Sequence, residues 1–172
     1  MPSMKILLIA GGWSSEREVS LTGARGMQEA LLKRGHAVTF FDLLENFDEL
    51  LETARQHDFA LINLHGSPGE DGLVQAMLEK ADCPCQGSGP SGSFLALNKA
   101  AAKQIFRMAG LPTADWEFLP VRPAEGWEPR LPWPLFVKTT TGGSSLRLGR
   151  ATNRQELDAL MDEIFAAGEG VL

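Results

Sequence analysis

The sequence predicts an α/β protein whose first part is a doubly wound parallel sheet. Three observations carry this reading. Short, mostly apolar runs recur at 5–10, 37–41, 59–64 and 83–86, as expected of strands covered on both faces. Stretches with helical apolar spacing separate them, at the pace of βαβ units with right-handed crossovers. Glycine or another turn residue closes each run. With 172 residues, 44% of them apolar and 22% charged, the chain can bury a sizeable core.

Charge narrows the partners. The net charge is −6 and no run of lysine or arginine stands out, which argues against a nucleic-acid or anionic-membrane surface. No apolar run approaches the ~20 residues needed to cross a bilayer. The start of the chain has one lysine and a short apolar run, then Gly11-Gly12 and charges, unlike a signal peptide. The cytoplasm is the expected compartment. Cys83 and Cys85 flank Pro84, a spacing that makes a poor disulfide and half a zinc site, so reduced structural thiols are expected.

Residues 5–10 form the first strand, stopped by Gly11-Gly12. Ser15 with Glu18 fits a capping box, and Val19, Ala24, Met27 and Leu31 give the apolar stripe of a helix that Gly35 ends. A second strand at 37–41, a helix over 48–56 and a third strand at 59–64 follow. Val74, Met77 and Leu78 mark a third helix before the short strand at 83–86. A second unit begins near residue 91, dividing the chain into 1–90 and 91–172. It opens with a helical pattern over 91–108 that carries Phe94, Leu97, Ile105 and Phe106, holds Asn98, Lys99 and Lys103, and ends at Gly110. Residues 113–119 alternate like a half-buried strand, and 120–134 hold five prolines and two tryptophans without periodicity, a loop. A strand and glycine-rich loop occupy 135–148, and Asn153 with Glu156 caps a helix whose stripe is Leu157, Leu160, Met161, Ile164 and Phe165. Residues 168–172 read as the start of another strand.

Candidate chemistry gathers at the strand ends. The polar loop 63–72 opens where the third strand stops, which is where ligands of open α/β sheets collect, and it places His65 at that mouth. The same composition suits a tight turn in which Gly66, Gly69 and Gly72 supply positive φ and His65 bonds backbone. The first turn, 11–16, lacks the G-x-G-x-x-G fingerprint, so no nicotinamide cofactor is implied. Glu16 and Glu18 lie in a first helical turn, where the macrodipole favours carboxylates. Beside a strand-end cleft, the Glu16 carboxylate would also repel a phosphate and attract an ammonium group. In the second unit, period-two alternation puts Phe136 and Lys138 on one face, an ammonium that needs an anion partner. Gly142, Gly143, Ser144 and Ser145 then suit either a phosphate cradle of inward N–H groups or a plain hairpin turn.

Four separated segments share one order and spacing: the Gly-Gly turn with Ser15-Glu16-Arg17-Glu18-Val19-Ser20-Leu21, the Leu64-His65-Gly66 to Gly72 loop, Asn98-Lys99, and Val137-Lys138 through Gly143-Ser144-Ser145. That order resembles the N-terminal half of the D-alanine–D-alanine ligases, of the ATP-grasp superfamily, from Lys5 to about Ser145. The resemblance implies a Rossmann-like pre-ATP-grasp domain over 1–90 and the first part of an α+β ATP-grasp domain over 91–172. It implies that Glu16 holds the ammonium of the first D-alanine, that His65 lies near its carboxylate, and that Lys99 and Lys138 contact ATP phosphates. Gly143, Ser144 and Ser145 would belong to the loop closing over the reacting groups, with Ser144 bonding towards Glu16. ATP would phosphorylate a carboxylate, and the amine of a second amino acid would attack the acyl phosphate. Small-molecule amino acids, ATP and Mg²⁺ are thus the implied ligands, and a homodimer the expected assembly.

Departures mark a divergent member. Thr139 stands where the family usually has proline, Arg147 and Ala76 where glycine is usual, and Asn98 where aspartate is usual. The family's magnesium carboxylates, tetrahedral-intermediate arginine and adenine segment fall after the point matching Leu172. The 172 residues are therefore expected to be the N-terminal part of a longer enzyme and to release no ADP alone. Another ATP-grasp amino-acid ligase and a non-catalytic amino-acid-binding module are the alternatives.

Overall fold

The apolar run from Lys5 forms β1 (Lys5–Ala10), and both its neighbours run parallel to it in the order β2-β1-β3, with β2 at Ala37–Asp42 and β3 at Phe59–Ile62. The computed structural model describes residues 2–143 and 147–172. Two compact units divide it, Met1–Phe94 and Leu95–Leu172.

In the first unit the two faces of β1 are buried against different elements. Leu7 and Ile9 pack with Leu43, Leu50, Val74 and Leu78, whereas Leu8 and Ala10 pack with Ala24 and Leu21. Helix α1 (Arg17–Lys33) therefore covers one face. The short helices α2 (Leu43–Asn46) and α3 (Leu50–Ala54), joined by a 3₁₀ turn, and α4 (Leu73–Lys80) cover the other. This is the doubly wound arrangement expected from the alternating runs. Full burial of Leu7, Leu8 and Ile9 is worth about 1.5 to 3 kcal/mol each.

Several local expectations are corrected. The Ser15/Glu18 capping box does not form: Glu16 is the N-cap residue, without a side-chain cap, and Ser14 Oγ accepts from its N–H at 3.2 Å. The buried stripe of α1 is Ser20 and Ala24, while Val19 and Met27 are exposed. The helix expected over 48–56 begins earlier, because Asp42 ends β2 and caps α2 by accepting from Leu44 N–H at 3.1 Å. The fourth strand is a single parallel bridge between Ala60 and Cys85. Past it, the Gln86 amide pairs with both backbone groups of Ile62, at 3.0 and 2.6 Å, in the manner of a further strand. Cys83 and Cys85 are free thiols, both pushed up by burial and so held protonated.

The helix expected over 91–108 breaks into α5 (Pro90–Leu97) and α6 (Lys99–Met108), because the Asn98 side-chain Oδ1 accepts from Ala101 N–H at 3.0 Å and starts a new helix. In the second unit, β4 (Leu135–Val137) pairs antiparallel with β5 (Gly149–Ala151), and Val171 bridges both Leu119 and Thr139. Helix α7 (Arg154–Ala166) closes this layer through Leu157, Met161 and Ile164. The strand expected over 113–119 is reduced to that bridge at Leu119. Lys103 binds Thr113 Oγ1 at 2.7 Å and the Ala114 carbonyl at 2.8 Å, holding the segment on an irregular path. Among the described residues no helix is long and apolar enough to cross a membrane.

The cap of α7 is reciprocal. Asn153 Oδ1 accepts from Glu156 N–H at 3.0 Å, and Glu156 accepts from Thr152 N–H at 2.7 Å and Thr152 Oγ1 at 2.9 Å. Replacing Asn153 by alanine is expected to cost about 1 kcal/mol, read as a lower unfolding midpoint of the second unit in denaturant with an unchanged m-value.

Candidate functional site

In the first unit the candidate site lies beyond the carboxyl ends of β1 and β3. The chain enters β2 on one side of β1 and β3 on the other, so the topological switch point falls between β1 and β3. Gly11 and Gly12, at φ +78° and +76°, turn the chain out of β1 into the Glu16 turn. A Cβ at Gly11 would run into Arg17 Nη1 and Asp42 Oδ1, so glycine is required by space as well as by φ. The loop after β3 approaches this turn closely, since a Cβ on Gly66 would stand 3.3 Å from Ser14 Cβ. Glu16 and His65 thus lie on two neighbouring loops of one crevice.

The loop after β3 is held from below and within. Gln75, 7% exposed in α4, donates to the Gly69 carbonyl at 2.6 Å. Gly69 and Glu70 N–H groups both bond the Gly66 carbonyl, and Asp71 accepts from Leu73 N–H. His65 is half-buried, and among the described residues its side chain takes no hydrogen bond.

Arg17 and Asp42 form a two-bond ion pair, at 2.8 and 2.6 Å, and Arg17 also donates to the Gly12 carbonyl at 3.3 Å. Both side chains are largely sheltered, at 24% and 12% exposure. The Arg17 guanidinium holds the Asp42 carboxyl below the usual carboxylate range, reinforced by the Leu44 and Glu45 N–H groups and opposed by burial. Sequence reading passed over this pair; the signal was an aspartate closing the second strand.

In the second unit, Lys138 and Lys103 line one cleft of about 370 Å³ together with Trp116, Phe136 and the carboxylates Asp115 and Glu117. Glu117 is already engaged by the N–H of Leu131 at 3.0 Å and by Arg130. Arg107 and Lys103 both lie over the Trp116 ring, at 4.6 and 5.3 Å. Lys99 turns to the neighbouring loop, donating to the carbonyls of Gly142 and Thr140. Burial lowers the pKa of Lys99, the charge of Lys138 lowers it further, and Glu169 opposes both. Lys103 is lowered by burial and by Lys138, against Asp115. Lys138 thus repels both Lys99 and Lys103, and the charge it concentrates with Lys103 at the cleft favours an anion. Lys103 and Trp116 escaped the sequence reading as site residues, because their contact spans an irregular segment.

Gly143 is half-buried, whereas Ser144 and Ser145, with the expected bond from Ser144 towards Glu16, lie outside the described residues. The departures have physical accounts. Thr139 Oγ1 accepts from Gly142 N–H at 3.0 Å and so shapes the loop. Arg147 adopts φ +52°, a conformation that glycine takes at lower cost. Asn98 caps as aspartate would, and Ala76 is exposed on α4. Among the described residues no group of three metal-ligating side chains converges.

No family model matches the chain. Over 169 residues, 98% of the chain, it is 75% identical to a D-alanine–D-alanine ligase of Desulfovibrio desulfuricans, covering 55% of that protein. It is 62% identical to one of Nitratidesulfovibrio vulgaris over 98% of the chain and 56% of the relative. The chain is a relative of the D-alanine–D-alanine ligases, matched over their N-terminal part. The fold agrees: a D-alanine–D-alanine ligase of Bacillus anthracis complexed with ATP superposes with a TM-score of 0.83 at 32% identity, over 98% of this chain and 57% of that one. The chain spans about half the length of the curated relatives it matches.

Asp42 yields a pH prediction. Its folded pKa lies below the unfolded one, so its stabilisation is present above the ordinary carboxylate range and is lost as pH falls through the lowered folded value. In urea unfolding, Asp42→Asn is expected to be less stable than the parent at pH 7, and the gap should narrow from about pH 4 downward.

Proposed function

We propose that this chain supplies the N-terminal part of an ATP-dependent D-alanine–D-alanine ligase. The observation that carries the reading is 75% identity, over 98% of the chain, to a protein of that name. Residues 1–90 would be the pre-ATP-grasp domain that receives the first D-alanine, and 91–172 the first part of the ATP-grasp domain. The product dipeptide would serve peptidoglycan synthesis in the cytoplasm, and the complete enzyme would act as a homodimer.

The crevice after β1 and β3 suits an amino acid on charge grounds. Glu16 offers a carboxylate to the ammonium end, and His65 offers a ring nitrogen to the carboxylate end. Placing the first D-alanine there fixes which of its ends reacts. Across the reaction the D-alanine carboxylate attacks the γ-phosphorus of ATP, and ADP departs with the bonding pair. The amine of the second D-alanine then attacks the acyl carbonyl, losing a proton as phosphate leaves. Most of the rate would come from positioning and from neutralising the phosphate charge.

The chain's own residues fit the second of those tasks. Lys138 stands in the cleft with Lys103, where phosphate oxygens would relieve the repulsion between the ammoniums. Lys99, bonded to the carbonyls of residues 140 and 142, would set the height of the loop that carries Gly143, Ser144 and Ser145. Serines 144 and 145 would join the substrate and phosphate contacts. The magnesium ions would be held by residues after the point matching Leu172.

Two substitutions in the complete ligase separate these roles. Lys138→Ala removes a charge-assisted phosphate contact worth about 1.5 to 3 kcal/mol, and is expected to raise the ATP requirement at least tenfold. His65→Ala should raise the D-alanine requirement and leave that for ATP nearly unchanged. Steady-state kinetics in both substrates checks the pair; equal losses in both, or none for Lys138→Ala, would contradict the assignment.

A further inference from the structure

Helix α1 joins the two loops of the first-unit crevice through a side chain that has no role in the chemistry above. Ser20 is fully buried and stands one helical turn after Arg17, on the same face. Its hydroxyl accepts from Gly11 N–H at 2.8 Å and donates to the Asn63 carbonyl. Asn63, 9% exposed, answers by donating its side-chain amide to the Ser20 carbonyl at 2.6 Å. Gly11 begins the turn that carries Glu16, and Asn63 begins the loop that carries His65.

A hydroxyl has one proton to give and lone pairs to receive. Ser20 uses both capacities, one on each loop, in a site closed to water. No apolar side chain can replace that double connection, and water cannot compensate for its loss there. A side chain longer than glycine at position 23 would crowd the same amide, since a Cβ there would lie 3.1 Å from Asn63 Nδ2. Arg17 adds a third tie, linking the Gly12 carbonyl to Asp42 at the end of β2. One turn of α1 therefore gathers the carboxyl ends of β1, β2 and β3.

We propose that Ser20 is a positioning residue that fixes the Glu16 turn and the His65 loop relative to one another, and thereby sets the spacing of the two groups that grip the first amino acid. The proposal rests on the assignment of that crevice to D-alanine, and it makes the loops a coupled pair. Loosening one end of the Ser20 bridge loosens both.

The test uses the isotope-labelled 172-residue chain, its Ser20→Ala and Ser20→Cys variants, and Leu50→Val as a core variant of lowered stability. Amide hydrogen exchange is read at Gly11, Gly69 and Glu70, and at β1 as reference. In both Ser20 variants the Gly11, Gly69 and Glu70 amides are expected to lose protection together, at least tenfold more than β1, whereas Leu50→Val lowers all of them alike. Loss at Gly11 alone, or a uniform loss matching Leu50→Val, would overturn the coupling. Titration with D-alanine, followed at Gly12 and Gly66, is expected to weaken at least fivefold in the Ser20 variants and to stay near the parent value in Leu50→Val. Unchanged D-alanine affinity with loosened loops would overturn the positioning role. A parent chain that shows no response to D-alanine would overturn the substrate assignment instead, and exchange would still decide the coupling.

Discussion

The first unit depends on one constraint: β1 is buried on both faces, so each of its residues from Ile6 to Ala10 must be apolar and every neighbouring element must take its place around it. With Leu7 and Ile9 facing one layer and Leu8 and Ala10 the other, the strand cannot shift register by one residue without exchanging its two sets of partners. The parallel pairing on both sides then brings three strand ends to the same edge. Chemistry collects there because backbone groups that leave the ladder must find partners or stay open to a ligand. The Gly11 amide and the Asn63 carbonyl find Ser20, and the Gly12 carbonyl finds Arg17.

The second unit is organised by charge. Lys103 and Lys138 share a cleft, and the charge of Lys138 makes both Lys103 and Lys99 harder to keep protonated. Such repulsion costs stability unless an anion relieves it. Backbone carbonyls offset part of it: Lys99 rests on two of them, and Lys103 on one carbonyl and a hydroxyl. Among the described residues the Lys138 side chain takes no hydrogen bond or ion pair, and it lines the cleft.

Much of this was legible in the sequence because the apolar runs of strands covered on both faces are hard to mistake, and because loops after such strands are where side chains meet ligands. Residues 5–10 and 74–78 behave as their patterns say. What the sequence hid is local competition among polar groups. The pattern over 91–108 continues smoothly through Asn98, and only the capping bond to Ala101 shows that two helices meet there. Residues 113–119 alternate well enough for a strand, yet Lys103 takes Thr113 and Ala114 for itself. At the start of α1 the serine that meets the Glu16 amide is Ser14, one residue before the one that the capping box requires. Glu16, His65, Lys99 and Lys138 were visible as motif residues, whereas Ser20, Arg17 and Asp42 become visible only once three strand ends are side by side.

The most direct test of the central claim is a chimera in which this chain replaces the matching N-terminal part of the Desulfovibrio desulfuricans ligase, with which it shares 75% identity. Formation of D-alanyl-D-alanine from D-alanine and ATP by the purified chimera, with release of ADP, is the predicted result. A chimera that folds and binds ATP but makes no dipeptide would contradict it.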